Sequence, residues 1–145
     1  MPLAQLNVGH VLFPIDSPQM ADFVDQLAEV NAAAEAADGF LWRLRDEDGP
    51  GSTSYRLLDD DRLLVNLSVW RDLAALRAFV IGFDQHRVAL RDRYRWFERA
   101  TEPMTACWPV ADGHHPTLDE AAEMLLRLRA EGPSDQVFPF TYRGA

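Results

Sequence analysis

From Leu63 to Trp70 the chain reads LLVNLSVW, and its two alternating sets differ in character. Val65, Leu67 and Val69 form one set and are wholly apolar. Leu64, Asn66, Ser68 and Trp70 form the other, which puts two polar groups beside an indole. Successive side chains of a strand point to opposite faces, so this pattern predicts a strand covered on both sides. A polar pair on a covered face must find partners or line a wet cavity. Asp72 is placed to cap a following helix and Gly82 to stop it.

A second helix is predicted from Asp84 to about Ala100. At 100° per residue His86, Leu90, Arg93 and Phe97 form one stripe, flanked by Ala89 and Trp96. Arg87, Arg91, Arg95 and Glu98 fall on the opposite, solvated face. His86 and Arg93 are thereby aimed at the strand that carries Asn66, Ser68 and Trp70, and the set reads as a pocket. The plainer alternative is that Arg93 snorkels to the edge and His86 is a half-buried helix residue.

Before this stretch, Leu3 to Phe13 alternates as a first strand that Pro14 ends. Ser17 is expected to cap the first helix with Pro18 at N1, and Gly39 to stop it. Its apolar face is expected to hold Met20, Val24, Leu27 and Ala34. Asn31 falls in the centre of that face, either capping a backbone group or reaching a cavity. Phe40 to Arg45 is a second strand with Trp42 inside it. Asp46 to Ser54 is a turn-rich loop whose DEDG lacks the later ligands of a calcium loop. Tyr55 to Leu58 reads as a short strand and Asp59-Asp60-Asp61 as an acidic turn.

After the central stretch, Pro103 to Val110 reads as a strand with Cys107 and Trp108. Cys107 is expected to be a small buried side chain rather than a nucleophile. In the ADGHHP loop, His114 and His115 are adjacent, a poor arrangement for one metal. Thr117 and Glu120 form a capping box for a helix that ends at Gly132 and turns Leu118, Ala121, Leu125 and Leu128 inward. Residues 136–145, with Phe138, Phe140 and Tyr142 alternating, read as an edge strand or an arm.

Length and charge narrow the function. The 145 residues suit one domain. A single cysteine excludes an intrachain disulfide, and a cytoplasmic protein is expected. No stretch resembles a membrane span or signal peptide. A net charge of −9 makes nucleic acid a poor partner. All fourteen basic residues are Arg, so Schiff-base chemistry at a lysine is unavailable. The element order is an α+β layer, an antiparallel sheet with helices on one face. Val65, Leu67 and Val69 would then be bare on the other face, which predicts a homodimer packed sheet to sheet.

Together AQLN near the N-terminus, LLVNLSVW, His86, RYRWFE and GHHPTLDEA carry a resemblance to the DUF3291 family over nearly the whole chain. That family is similar to the dimeric α+β barrel superfamily, which includes antibiotic-biosynthesis monooxygenases and heme-degrading monooxygenases. The resemblance implies a ferredoxin-like sheet, two of which pack into a barrel, with a pocket between each sheet and its helices. Cofactor-free quinone-forming members use an Asn and a Trp four residues apart on the strand before the second helix, matched here by Asn66 and Trp70. Heme-degrading members use an Asn on the first strand, a Trp on this strand and a His on the next helix, matched by Asn7, Trp70 and His86.

Three functions are therefore weighed. The first is a cofactor-free enzyme of secondary metabolism acting on an aromatic or polycyclic small molecule, by oxidation, cyclisation or isomerisation. Asn66 would hold an oxyanion, His86 would move the proton, and Arg93 would pair with an acidic oxygen. Trp70 completes the catalytic set, and Asn7, Trp42, Ser68, Trp96, Phe97 and Trp108 would line the ligand. No metal or cofactor is expected in this reading. The second is a heme-dependent enzyme with His86 or His10 as axial ligand. The third is a ligand-binding dimer without catalysis, its indoles serving as core.

Overall fold

The structure is a computed structural model and describes residues 1–45, 57–58, 60–82 and 95–140. Four antiparallel strands form one sheet: β1 (Leu3–His10), β2 (Phe40–Arg43), β3 (Leu63–Trp70) and β4 (Thr105–Pro109). Their order across the sheet is β2-β3-β1-β4, so β1 and β3 are central. The strand expected over Leu63 to Trp70 forms with those bounds. Among the described residues three helices accompany the sheet: α1 (Ala21–Ala36), α2 (Leu73–Gly82) and α3 (Leu118–Glu131).

Local chemistry explains the boundaries. Asp72 caps α2, accepting the Ala75 N–H at 2.8 Å, and this bond is the main reason its carboxyl stays below the ordinary range. The expected Ser17 cap does not form, because its hydroxyl donates back to the Pro14 carbonyl, and Pro18 opens a single 3-10 turn, Pro18–Met20, which leads into α1. Gly39 then reverses the chain with φ +87, and a Cβ there would lie 2.4 Å from Ala75 Cβ. Glycine is needed on both counts. Gly132, at φ 80, ends α3.

Registry sorts the two faces. Ala4, Leu6 and Val8 of β1 oppose Val69, Leu67 and Val65 of β3, and Ala106 and Trp108 of β4 extend the same face. This apolar face is not bare. Ala121, Leu125 and Leu128 of α3 pack on it in one cluster with Leu57 and Val137. Val65, Leu67 and Val69 are consequently only 5, 1 and 3 % exposed within a single chain. The covering expected from a second subunit comes from the chain's own third helix, and the argument from this face to a homodimer falls.

Helices α1 and α2 lie on the other face, as the pattern suggested. The stripe of α1 is rotated from the expected one. Phe23, Leu27, Val30 and Ala34 are half-buried, Asn31 is buried, and Val24 is 40 % exposed. Two apolar clusters form here. One joins Leu3, Trp70, Ala75, Leu76 and Cys107 with Ala34, Phe40 and Phe79; the other joins Val11, Met20, Leu64 and Trp96 with Phe13, Phe23 and Phe97.

Several expected boundaries are corrected. Residues 83–94 lie outside the described residues, but Phe97 to Ala100 is not helical as predicted. Phe97 bridges to Val11, and Glu98 N–H donates to the His10 carbonyl at 2.9 Å. The cause lies at Gly9, where a Cβ would meet Phe97 Cδ1 at 2.7 Å, so the missing side chain makes room for the ring. Leu57 is bridged to Asp60, with Leu58 at φ 57, so this end of the expected short strand is a tight turn. Phe138 forms an isolated antiparallel bridge with Cys107, which seats the tail along β4. The loop over Asp46 to Ser54, the start of the short strand and Tyr142 lie outside the described residues.

Because α3 covers the apolar face, Leu67→Glu should unfold the chain rather than release a folded monomer. Circular dichroism with light scattering on that variant decides, and a folded, monomeric Leu67→Glu protein would restore the interface reading.

Candidate functional site

On the α1 face the sheet carries side chains in rows. Phe40, Trp70 and Leu3 make an apolar row at one end. Next come Arg43, Ser68, Gln5 and Cys107, then Asn66, Asn7 and Thr105. Leu64 and Gly9 follow. Two polar rows thus lie between two apolar clusters. The residues before α1, with Met20, pack in one cluster and the Ala34 end of α1 in the other, and Asn31 is the one buried residue of the helix.

The first polar row is largely satisfied. Trp70 donates its indole N–H to Ser68 Oγ at 3.0 Å, and Ser68 donates to Gln5 Oε1 at 3.0 Å. Arg43, buried, donates to Glu35 Oε1 at 2.7 Å, so its charge is compensated from α1. Cys107 is fully buried, and burial pushes its thiol up to about 12.

The second polar row is not. Asn7 and Asn66 are directly opposed and half-buried, with Cβ atoms about 5 Å apart by strand geometry. Neither amide makes a side-chain hydrogen bond among the described residues, and the same is true of Asn31, which is 5 % exposed. Asn31 therefore does not cap a neighbouring backbone group, as one reading of the sequence had it. Asn7 and Asn66 thus stand side by side with their donors and acceptors unspent among the described residues.

The other expected residues divide. Ser68 and Trp70 share the face of Asn66, but Trp70 is sealed: its ring stacks on Phe79 at 5.3 Å and meets Phe40 edge-on at 5.6 Å. Trp96 and Phe97 belong to the neighbouring apolar cluster, both against Phe23. Trp42 and Trp108 do not join the set. They lie on the α3 face, because Trp42 pairs with Val69 and Trp108 with Ala4. There Trp42 stacks on His115 at 4.7 Å, and Trp108 donates to Glu120 Oε2 at 2.9 Å. Glu120 Oε1 also binds His114 Nε2 at 2.6 Å, while Thr117 Oγ1 accepts the Glu120 N–H at 3.1 Å. Only that half of the capping box forms, since the carboxylate is spent on His114 and Trp108. His86 and Arg93 lie outside the described residues. Arg95 is exposed and paired with Asp22.

His10 sits at the end of β1 with Nε2 2.6 Å from Asp60 Oδ2. The Arg62 backbone N–H, then His10, hold the Asp60 carboxyl below its ordinary value. Among the described residues, no three His, Cys, Asp or Glu side chains gather to hold a metal ion. A depression of about 360 Å³, lined by Asp38, Arg71, Asp72, Ala75 and Phe79, opens elsewhere on the surface. Its only cation there, Arg71, is already held by Asp38 at 3.1 Å and Asp72 at 3.4 Å, so it offers little to a ligand. No described helix is long and apolar enough to cross a membrane.

An antiparallel four-stranded sheet, two helices on a face with a polar layer beneath them, and the match of residues 2–144 to the domain of unknown function DUF3291 agree. The chain belongs to the DUF3291 family. No curated protein matches it. Among solved structures, a conserved protein from Methanosarcina mazei Go1 is similar at TM-score 0.55 and 12 % identity, over 77 % of this chain and 94 % of that one. A protein from Chloroflexus aurantiacus J-10-fl, for which an antibiotic biosynthesis monooxygenase role has been suggested, is similar at TM-score 0.50 and 12 % identity, over 79 % and 98 %. SnoaB, a cofactor-independent oxygenase from Streptomyces nogalater, is 22 % identical over 77 % and 94 %, but a TM-score of 0.48 is too loose to carry a functional conclusion. The fold is that of the dimeric α+β barrel class, with a ferredoxin-like sheet, as the DUF3291 resemblance implied.

Two outcomes follow from these environments. Cys107 should resist alkylation by iodoacetamide at pH 8 in the folded DUF3291 protein and react once urea unfolds it; rapid labelling without denaturant would contradict its burial. Asp60 has a folded pKa below its unfolded one, so its contribution is complete above about pH 4 and fades as pH falls through the folded value. Urea midpoints of wild type and Asp60→Asn should differ at pH 6 and converge toward pH 2, and a constant difference would contradict the assignment.

Proposed function

We propose that this DUF3291 protein binds an aromatic or polycyclic small molecule between the sheet and α1 and oxidises it without a cofactor. The observation that supports this reading is the polar row of Asn7 and Asn66 on the α1 face, two opposed half-buried amides that make no side-chain hydrogen bond among the described residues. A ligand oxygen would take up the donors that these amides leave free. The likeness to the Chloroflexus protein points to the same reaction type.

In this reading the Asn66 amide donates to the oxygen of a phenolate as it forms, where a preorganised donor acts most strongly. Dioxygen is the oxidant. One of its atoms enters the ring as a carbonyl oxygen and the other leaves as water, so a phenol becomes a quinone. His86 is assigned the proton transfer and Arg93 the pairing with an acidic oxygen, both on the helix pattern of the sequence. Arg43, buried beside the layer, is already held by Glu35 of α1.

A second reading, binding without catalysis, is favoured by Trp70. Its N–H is committed to Ser68 and its ring is packed between Phe40 and Phe79, so it supports the floor of the layer rather than touching a ligand. Heme is a poor fit to His10, whose Nε2 is engaged by Asp60 and whose side chain points to the face opposite Asn7.

Oxygen uptake with a dihydroxynaphthalene, in protein stripped of metal by chelation, separates these readings. Asn66→Ala should lower kcat by about 100-fold if the amide holds an oxyanion. Binding of the probe with no oxygen uptake would leave the carrier reading, and equal turnover in wild type and Asn66→Ala would remove the assignment of Asn66.

A further inference from the structure

Two buried side-chain atoms on the α1 side have no hydrogen-bond partner among the described residues: Gln26 Oε1 and Trp96 Nε1. The first only accepts and the second only donates. Both residues border Phe23. Gln26 follows Phe23 by three residues and so lies beside it on α1. The Phe23 ring lies 5.5 Å from the Trp96 ring and meets Phe97 edge-on at 5.1 Å. Trp96 itself is 1 % exposed.

Folding has thus taken an acceptor and a donor out of water without joining them, a state that natural structures rarely leave unrelieved. The group that relieves both must donate and accept. A hydroxyl does so. A carboxylate or ketone oxygen serves only the indole, and an ammonium serves only the amide.

Position adds a length. Trp96 clusters with Leu64, and Leu64 stands two residues before Asn66 on the same face of β3. Two residues of strand span about 7 Å, close to the length of two fused aromatic rings. We propose that Gln26 and Trp96 bind the hydroxyl of a flat, uncharged aromatic alcohol or phenol, whose body lies against Phe23 and Phe97 and whose far end reaches Asn66 and Asn7. The assignment rests on the ligand-binding reading above and adds the functional group and the end of the site that reads it.

Equilibrium dialysis with 1-naphthol and with 1-methylnaphthalene, which lacks the hydroxyl, tests this on the full chain and on Trp96→Phe, Gln26→Leu and Asn66→Ala. Wild type should prefer 1-naphthol by about tenfold, the worth of two net hydrogen bonds. Trp96→Phe and Gln26→Leu should each erase most of that preference while leaving 1-methylnaphthalene binding and the melting temperature close to wild type. A preference that survives both substitutions, a wild type that shows none, or no binding of either probe overturns the proposal. So does a marked fall in melting temperature with the preference intact, which would mean that a structural water alone serves the two atoms. Asn66→Ala separates the layers of the argument. If it weakens both probes while the Trp96 and Gln26 variants do nothing, the binding site stands and this subsite falls. If the subsite variants act and Asn66→Ala does not, the subsite stands and the role given to Asn66 falls.

Discussion

The cost of burying polar groups without partners governs this molecule. Strand β3 is covered on both faces, so each of its polar residues must be satisfied inside the protein or face something that can satisfy it. Ser68 takes the first course, standing between the Trp70 indole and Gln5 in a bonded chain of three. Asn66 does not. Two residues apart on one face, they divide the layer into a closed part and an open one. The apolar clusters on either side, one around Trp70 and one around Trp96, fix α1 over both.

Much of this was legible in the chain. The alternation of LLVNLSVW gave β3 to the residue, because only a strand separates Val65, Leu67 and Val69 from Asn66 and Ser68. Asp72 announced its helix by being the one residue there able to accept an early N–H. Asn31 stood out because a carboxamide in an apolar stripe needs a reason. The end of the second predicted helix was misread because its periodicity continues through Phe97, whereas the ring is claimed by the space that Gly9 leaves. No local pattern reveals a vacancy on a strand ninety residues away.

Two other points needed three dimensions. The pattern of α3 said which side chains turn inward but not onto which face of the sheet, so the apolar face looked unoccupied. Gln26 lies on the flank of α1, at a position where a solvated glutamine is ordinary. A signal was present, since Gln26 lies one turn from Phe23 and Val30, but its meaning depends on Trp96 arriving from a distant segment.

The two faces of the sheet differ in how their polar groups are used. Over α3 the polar groups are matched to one another: Trp108 and His114 to the two oxygens of Glu120, Thr117 to the Glu120 N–H, and His115 to the face of Trp42. Such matching fastens a helix to a sheet and leaves nothing over for a ligand. Over α1, Gln26 Oε1 and Trp96 Nε1 are buried without a partner among the described residues, and the half-buried amides of Asn7 and Asn66 make no side-chain hydrogen bond there. Had that face only to hold a helix in place, apolar residues of similar volume would have served it better. Gln26 Oε1 and Trp96 Nε1, buried without partners, both lie on the α1 side, which is the side on which the ligand reading rests. The donors and acceptors left over there define what a guest must carry.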